Sequence, residues 1–226
     1  MLIIGHRGAP RHAPENTIQS FDAALELEVD MIELDVRITR DGHPVAIHDA
    51  TLTRTHRISS HIHALTLDEL QRAARDKPIP TLREVLDRYF GRIMINVELK
   101  GRAAALPVLR LIEEHYIKRA TDWDDILISS LRVRELIMLR KHSDKVNIAL
   151  VHRENPFIFV AYTRRLNLTG VVFHRLHLNR FALEIAKKSR LFTAVYTVNR
   201  PQAARLLRTA GYDAIFTNCP DKMNDL

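Results

Sequence analysis

The 226-residue sequence contains a single cysteine and no long hydrophobic run, and each shortage excludes a class of protein. With Cys219 alone, an intrachain disulfide is impossible, which is compatible with a reducing compartment. No apolar run approaches the ~20 residues that a membrane-spanning helix needs. The first apolar stretch is interrupted at once by Gly5-His6-Arg7, which is unlike a signal peptide. We therefore expect a cytoplasmic protein without stable membrane insertion.

Several ligand-binding motifs are also absent from the sequence. There is no zinc-ligand spacing, no RNA-binding signature and no basic tail, so nucleic acid is not an expected partner. The formal net charge of +7 is spread thinly and indicates an anionic partner only weakly. No GxGxxG motif follows the first apolar run, which argues against a dinucleotide-binding sheet.

What the sequence does contain is a regular alternation of short apolar runs with longer amphipathic ones. Buried strands that alternate with helices are typical of a parallel sheet. About eight repeats predict an α/β fold, a compact TIM (β/α)8 barrel in one domain over 1–226, with a doubly wound open sheet as the alternative. The spacings Asn16–Gln19 and Thr66–Glu69 are typical of helix starts. The predicted strands are 2–5, 31–38, 44–49, 93–100, 126–130, 147–151, 170–174, 192–198 and 214–217, and the predicted helices include 15–28, 81–90, 104–117, 132–142, 180–190 and 201–211.

Nine strand candidates are one too many for an eight-stranded barrel. Asp41-Gly42 is typical of a two-residue hairpin turn, and such a turn would place His48 directly opposite Asp35. We therefore predict that 44–49 returns antiparallel to the second strand, outside the ring. Residues 50–80 would then form a short insertion before the next barrel helix.

Charged side chains occur at the ends of several predicted strands, where a hydrophobic core would not accept them unpaired. In a barrel these ends form one rim, which is where catalytic residues lie. Carboxylates two residues apart on a strand face the same side. The side chains predicted to converge on this rim are His6, Arg7, Glu33, Asp35, His48, Glu98 and Lys100.

The residue types on this rim indicate a particular chemistry. Three carboxylates without a thiolate favour one hard divalent cation, Mg²⁺ or Ca²⁺, over zinc. Arg7 and Lys100 are suited to bind a phosphate group. Two imidazoles suit general acid–base catalysis at neutral pH. Together these groups favour metal-assisted cleavage of a phosphate ester.

An ordered set of short motifs extends this interpretation along nearly the whole chain. The motifs are HRG (6–8), PENT (14–17), ELDV (33–36), TRDG (39–42), PVAIHD (44–49), TLTRT (51–55), IPTL (79–82), ELK (98–100), SS (129–130), YTVN (196–199) and AIFTNCP (214–220). In this order they resemble the glycerophosphodiester phosphodiesterases, and most closely the small bacterial members. The resemblance implies a (β/α)8 barrel that converts a small glycerophosphodiester and water to sn-glycerol 3-phosphate and an alcohol.

The resemblance also implies a role for each matching position. It leaves open which histidine is the acid, and whether water or the glycerol 2-hydroxyl attacks. Head-group preference, the choice between Mg²⁺ and Ca²⁺, and the oligomeric state are open as well. The implied roles are His6 and His48 as the acid–base pair, Glu33, Asp35 and Glu98 as ligands of one divalent cation, Arg7 and Lys100 as phosphate contacts, and Tyr196 as a wall of the substrate pocket.

Three positions depart from the family pattern and bear on the choice of substrate. Tyr196 replaces a usual Trp, Asn218 a usual Asp and Leu131 a usual Phe. Two alternatives remain, a lysophospholipase D-like enzyme and a non-catalytic binding protein on the same barrel. We expect a soluble diester to be preferred over a lysolipid, because rim candidates such as Ser129 and Ser130 are short and polar. The sequence contains no clear apolar groove or membrane-binding loop.

Overall fold

The computed structural model describes residues 1–223, in which eight parallel strands close into a ring. The ring runs β1-β2-β4-β5-β6-β7-β8-β9 and closes where β9 pairs with β1. The predicted TIM barrel is thus confirmed. Its strands are β1 (Leu2–His6), β2 (Met31–Ile38), β3 (Pro44–Ala46), β4 (Met94–Leu99), β5 (Ile126–Ser130), β6 (Asn147–Val151), β7 (Gly170–His174), β8 (Phe192–Tyr196) and β9 (Ala214–Thr217).

Helices fill the connections between ring strands and pack against the outside of the barrel. Thr66 accepts a hydrogen bond from the Glu69 backbone in a capping box, as predicted, and Gly211 ends the last helix with a left-handed φ of 93°. No helix within residues 1–223 is long and apolar enough to cross a membrane. The helices are α1 (Ile18–Glu26), α2 (Thr53–His56), α3 (Leu67–Ala73), α4 (Leu82–Tyr89), α5 (Ala105–His115), α6 (Val133–His142), α7 (Val160–Leu166), α8 (Arg180–Lys188) and α9 (Pro201–Ala210).

The apolar core has two parts because alternate residues of each strand face opposite sides of the barrel wall. Outward residues such as Leu34 and Val97 pack beneath the helices in a large cluster. Inward residues such as Ile4, Met31 and Phe216 fill the lower interior of the ring in a smaller cluster. The charged inward residues Glu33, Asp35 and Glu98 lie above this cluster, toward the carboxyl ends of the strands.

The predicted hairpin exists, but its register differs by one residue from the expectation. Val36 pairs with Ala46, and the Ile47 backbone N–H donates to the Asp35 carbonyl at 2.8 Å, so Ile47 rather than His48 opposes Asp35. The strand ends at Ala46, three residues earlier than predicted. His48 therefore lies in the loop beyond β3 instead of in a cross-strand pair.

A three-residue loop, in place of the two-residue turn, causes this shift in register. The Thr39 hydroxyl donates to the Asp41 carboxylate at 2.6 Å and accepts from the His43 N–H at 2.9 Å. Gly42 takes the left-handed conformation, φ 89°, that such loops require. Asp41 also accepts from the Leu67 N–H at 3.0 Å, so the predicted insertion is tied to the turn.

The insertion after β3 has a small apolar cluster of its own. Leu52, Ile62 and Leu70 are fully or almost fully buried together, under α2 and α3. The cluster includes Val45 of the outer strand, so the insertion packs on β3 and not on the barrel interior. This packing holds the loop that carries His48 above the strand ends of the ring.

Candidate active site

Three carboxylates meet at the carboxyl ends of β2 and β4. Asp35 and Glu98 are neighbours across the two parallel strands, and Glu33 lies two residues before Asp35 on the same face. One oxygen atom from each of the three lies within 4.8 Å of the other two. All three side chains are buried, as the sequence predicted for this rim.

Burial makes the ionised form of these three carboxylates unfavourable. Burial, reinforced by the charges of Asp35 and Glu98, raises the pKa of Glu33 well above its usual range. Burial also raises the pKa of Glu98. Burial alone would raise the pKa of Asp35 too, but the charges of Lys100 and Arg7 outweigh it and hold that pKa at about 2. The cluster is therefore short of positive charge.

Arg7 and Lys100 supply part of that charge from either side of the cluster. Lys100 Nζ lies 2.7 Å from Glu98 Oε1 and 3.2 Å from Asp35 Oδ1. Arg7 Nε lies 3.0 Å from Asp35 Oδ2 in an ion pair that lacks hydrogen-bond alignment. Both cations also line the cavity above the cluster, where a phosphate would enter.

The carboxylate cluster fits the divalent cation that the sequence indicated. Glu33 Oε2 accepts the Arg7 N–H at 2.8 Å, but Glu33 Oε1 is buried without any hydrogen-bond partner. Buried polar atoms are normally satisfied, so an unpaired carboxylate oxygen beside two further carboxylates is suited to coordinate a cation. An all-oxygen donor set matches Mg²⁺ or Ca²⁺.

The two candidate histidines lie on the same cavity and have different hydrogen-bond partners. Burial, followed by the charge of Arg7, lowers the pKa of His6 to about 4. His6 Nδ1 lies 2.6 Å from the Asn218 amide oxygen, which can only accept a hydrogen bond. His48 Nδ1 lies 2.7 Å from a carboxylate oxygen of Asp49. His6 is therefore neutral at pH 7, with its proton on Nδ1, whereas His48 has an anionic partner.

A charged network below His48 joins the insertion to the barrel. Asp49 pairs with Arg54 at 2.6 Å, and Arg54 also pairs with Glu15. Glu15 in turn pairs with Arg7 at 3.0 Å. The loops that carry the two histidines are thus connected through alternating charges.

Asn16 contacts the carboxylate cluster, although the sequence analysis predicted that it starts a helix. It does not start α1, because Thr17 accepts the capping hydrogen bond from the Ser20 N–H. Asn16 is instead buried with a left-handed φ of 58°, where its amide donates to Asp35 Oδ2 at 2.9 Å and accepts from the Asp35 N–H at 3.0 Å. The sequence signal for this residue was its place in the PENT motif (14–17), which did not indicate a contact with Asp35.

A cavity of about 1000 Å³ opens above the cluster. All the predicted site residues line it except Glu33 and Asp35, which are fully buried. Tyr196 lines it, and the Tyr196 hydroxyl donates to the His152 carbonyl at 2.8 Å. The expectation of a polar mouth was wrong in part. Ser129 and Ser130 are fully buried and do not line the cavity. Leucines with arginines between them form much of the outer wall, and they are Leu131, Leu176, Leu178, Leu206, Arg153, Arg175 and Arg200.

A (β/α)8 barrel with buried carboxylates, two cations and two histidines at its carboxyl-terminal rim defines a barrel hydrolase that acts on an anionic substrate. Residues 6–222 match the glycerophosphoryl diester phosphodiesterase family. The chain belongs to this family and is accordingly a phosphodiesterase. The match covers all the site residues described above.

Relatives of similar length support this assignment. The Bacillus subtilis protein YhdW is 33% identical over 98% of this chain and 96% of its own length. The glycerophosphodiester phosphodiesterase of Caldanaerobacter subterraneus subsp. tengcongensis is 30% identical, over 100% of this chain and 97% of its own. An Oleispira antarctica phosphodiesterase, solved with the product sn-glycerol-3-phosphate, has the same fold, with a TM-score of 0.86 at 24% identity over 100% of this chain and 96% of that chain.

Proposed function

We propose that the enzyme hydrolyses small glycerophosphodiesters to sn-glycerol 3-phosphate and an alcohol. The observation that supports this most directly is the buried Glu33, Asp35 and Glu98 cluster with an orphaned oxygen, open to a cavity lined by two cations and two histidines. We further propose that 1–226 forms one domain, since the ring closes only through the pairing of β1 with β9.

Glu33, Asp35 and Glu98 would hold one divalent cation, Mg²⁺ or Ca²⁺. When bound, such a cation supplies Lewis-acid polarisation of a phosphoryl oxygen. The backbone N–H of Arg7 orients Glu33, and the Asn16 amide orients Asp35, so the donor oxygens are fixed in advance. Preorganised ligands of this kind lose little flexibility on binding.

Arg7, Lys100 and Tyr196 would bind the substrate. Arg7 and Lys100 neutralise the phosphodiester charge, Arg7 through its planar fork and Lys100 as a point charge. Their present ion pairs with the carboxylates keep both side chains pointed into the site. Tyr196 would provide an aromatic wall on the opposite side of the cavity, anchored by its hydrogen bond to the His152 carbonyl.

The different hydrogen-bond partners of the two histidines support an assignment of His6 as the base and His48 as the acid. Neutral His6 carries its proton on Nδ1, so Nε2 is free to take the proton of the attacking oxygen as a bond forms to phosphorus. The Asp49 carboxylate lies 2.7 Å from His48 Nδ1 and holds the imidazole in position at the cavity. His48 would then donate its proton to the alcohol oxygen as the phosphorus–oxygen bond breaks.

A metal-controlled assay tests the proposed substrate and reaction. Enzyme treated with EDTA is supplied with Mg²⁺ or Ca²⁺, and release of the free alcohol, choline or ethanolamine, is measured with glycerophosphocholine, glycerophosphoethanolamine and lysophosphatidylcholine. For the two soluble diesters, sn-glycerol 3-phosphate is identified as the second product. We expect metal-dependent turnover with a higher kcat/KM for the two soluble diesters. Preference for the lysophospholipid would overturn the substrate choice. Full turnover in EDTA would overturn the cation assignment.

A further inference from the structure

Exposed apolar side chains are concentrated on one part of the molecule. Within residues 1–223, every exposed large apolar side chain lies in the segments that directly follow β5, β6, β7 and β8. These segments are on the carboxyl-terminal face, around the mouth of the active-site cavity. Six of these residues, which we call the apolar rim, are Leu131, Phe157, Leu176, Leu178, Phe181 and Leu206.

Three members of the apolar rim are strongly exposed, and two of its segments are in contact. Leu176 is 69% exposed, Phe181 63% and Leu206 67%, values that are high even for surface leucines and phenylalanines. The rings of Phe157 and Phe181 are 6.2 Å apart, which joins the segment after β6 to that after β7. Clustered exposure of this kind in a water-soluble fold marks an interaction surface.

The exposed charges that line the cavity mouth beside the apolar rim are positive, although exposed Glu154 follows Arg153 in the same segment. Exposed Arg153, Arg175 and Arg200 line the same cavity mouth as Leu176 and Leu206. Within residues 1–223, the only carboxylate that lines the cavity is Glu98, which is buried at its floor. Apolar side chains interleaved with arginines match an interface that is both apolar and anionic.

We infer that the apolar rim and its three arginines dock the enzyme on the surface of an anionic phospholipid bilayer. The leucine and phenylalanine side chains enter the boundary between head groups and acyl chains, and the guanidinium groups contact lipid phosphates. The binding is peripheral, and it directs the mouth of the active site toward the membrane.

A second copy of this chain fits the same face less well. Two such faces would bring together six arginines, three from each copy, without acidic partners at the mouth. A rigid partner over this face would also close the cavity through which substrate enters. A fluid anionic surface satisfies the arginines and leaves lateral access to the cavity.

Vesicle sedimentation tests the inference without any need for turnover. The full-length protein is mixed with phosphatidylcholine vesicles that contain 0% or ~30% phosphatidylglycerol, at low and high salt. Two triple variants remove the apolar and the basic parts separately: Leu176→Ser/Phe181→Ser/Leu206→Ser and Arg153→Gln/Arg175→Gln/Arg200→Gln. The matched control, Lys141→Gln/Lys145→Gln/Lys188→Gln, removes three exposed charges from the last turns of α6 and α8 and from the loop before β6, at the opposite end of the barrel.

We expect the wild type and the control to bind the anionic vesicles, and binding to weaken at high salt. Each arginine near an anionic surface contributes about fivefold to the binding constant, so the arginine triple should lose about 100-fold. The apolar triple should lose about tenfold or more and keep its salt dependence. Thermal melts and circular dichroism establish that each variant is folded.

Three results would overturn the inference. The first is that the protein binds neutral and anionic vesicles equally well. The second is that both triple variants bind vesicles as tightly as the wild type. The third is that the wild type is a dimer in solution and the apolar triple variant is a monomer. Since binding is read without catalysis, a failure of the proposed phosphodiesterase reaction would leave this result intact, and the reverse also holds.

Discussion

Replacement of Glu33 by glutamine probes the carboxylate cluster most directly. In the absence of metal, burial and the charges of Asp35 and Glu98 disfavour ionised Glu33, so the neutral side chain removes a repulsive interaction. Glutamine retains an oxygen to accept the Arg7 N–H. In EDTA, Glu33→Gln should therefore unfold at a temperature equal to or above that of the wild type.

Added cation should reverse that order of stability. At 100 times its dissociation constant, a ligand adds about 2.7 kcal/mol to the free energy of unfolding. For a chain of this size that corresponds to a rise in Tm of about 5–10 °C. Loss of one of three charged ligands costs several kcal/mol of cation binding, so the affinity should fall at least ~100-fold. The variant should then gain only about 1 °C at the same concentration.

Differential scanning calorimetry in EDTA, Mg²⁺ and Ca²⁺ measures these shifts. Glu135→Gln is the matched control, because Glu135 is also a buried carboxylate but is not part of the cluster and accepts the backbone N–H groups of Ala103 and Ala105. It should lose stability in every buffer and retain the full metal-induced shift. An equal metal-induced shift in Glu33→Gln and the wild type, or a large loss of stability in EDTA, would refute the cation assignment.

Three further predictions concern histidines. His6→Ala and His48→Ala should each lose ~10²–10⁴-fold in kcat while melting as the wild type does. Asn218→Asp places a carboxylate at the hydrogen bond to His6, which raises the pKa of His6 and moves the acid limb of the kcat/KM pH profile upward. Burial lowers the pKa of His152 to about 4, so the unfolded chain binds more protons between pH ~6.5 and ~4, and stability is full above that window and falls as pH decreases through it. His152→Leu should flatten this fall in the free energy of unfolding, measured by urea denaturation.

Each of these predictions has a contrary outcome. Near-wild-type turnover in a folded histidine variant would remove that histidine from the mechanism. An unchanged pH profile in Asn218→Asp would mean that the amide does not control the protonation of His6. An equally steep loss of stability in His152→Leu would assign that loss to other groups.

The barrel and most of its strand ends were predictable because their signals are local. Alternation of buried strands and amphipathic helices is a property of neighbouring residues, and the two-residue period placed Glu33 with Asp35 on one face without any structure. Once the strands are parallel, their carboxyl ends must share a rim. Composition and spacing therefore determined the chemical character of the site.

The register of the hairpin was not predictable from Asp41-Gly42 alone. The turn dipeptide is compatible with a two-residue or a three-residue loop. The choice was made by the Thr39 hydroxyl and by the Leu67 N–H, which bind Asp41 from outside the dipeptide. The hydrogen bond from the Leu67 N–H to Asp41 spans 26 residues and forms only when the insertion is folded. The local sequence therefore does not specify the position of His48.

Tertiary structure alone decided which distant residues complete the site and its mouth. Asn16 and Asn218 are ordinary polar residues in the sequence, and they acquire roles only when ring closure brings them to Asp35 and His6. The apolar rim is likewise invisible as a run, because its side chains come from four separate segments. Each segment contributes between one and three apolar residues from a loop or a helix. Only the closed barrel places the four segments on adjacent sectors of one face, so a sequence without any apolar anchor folds into a molecule with an apolar surface.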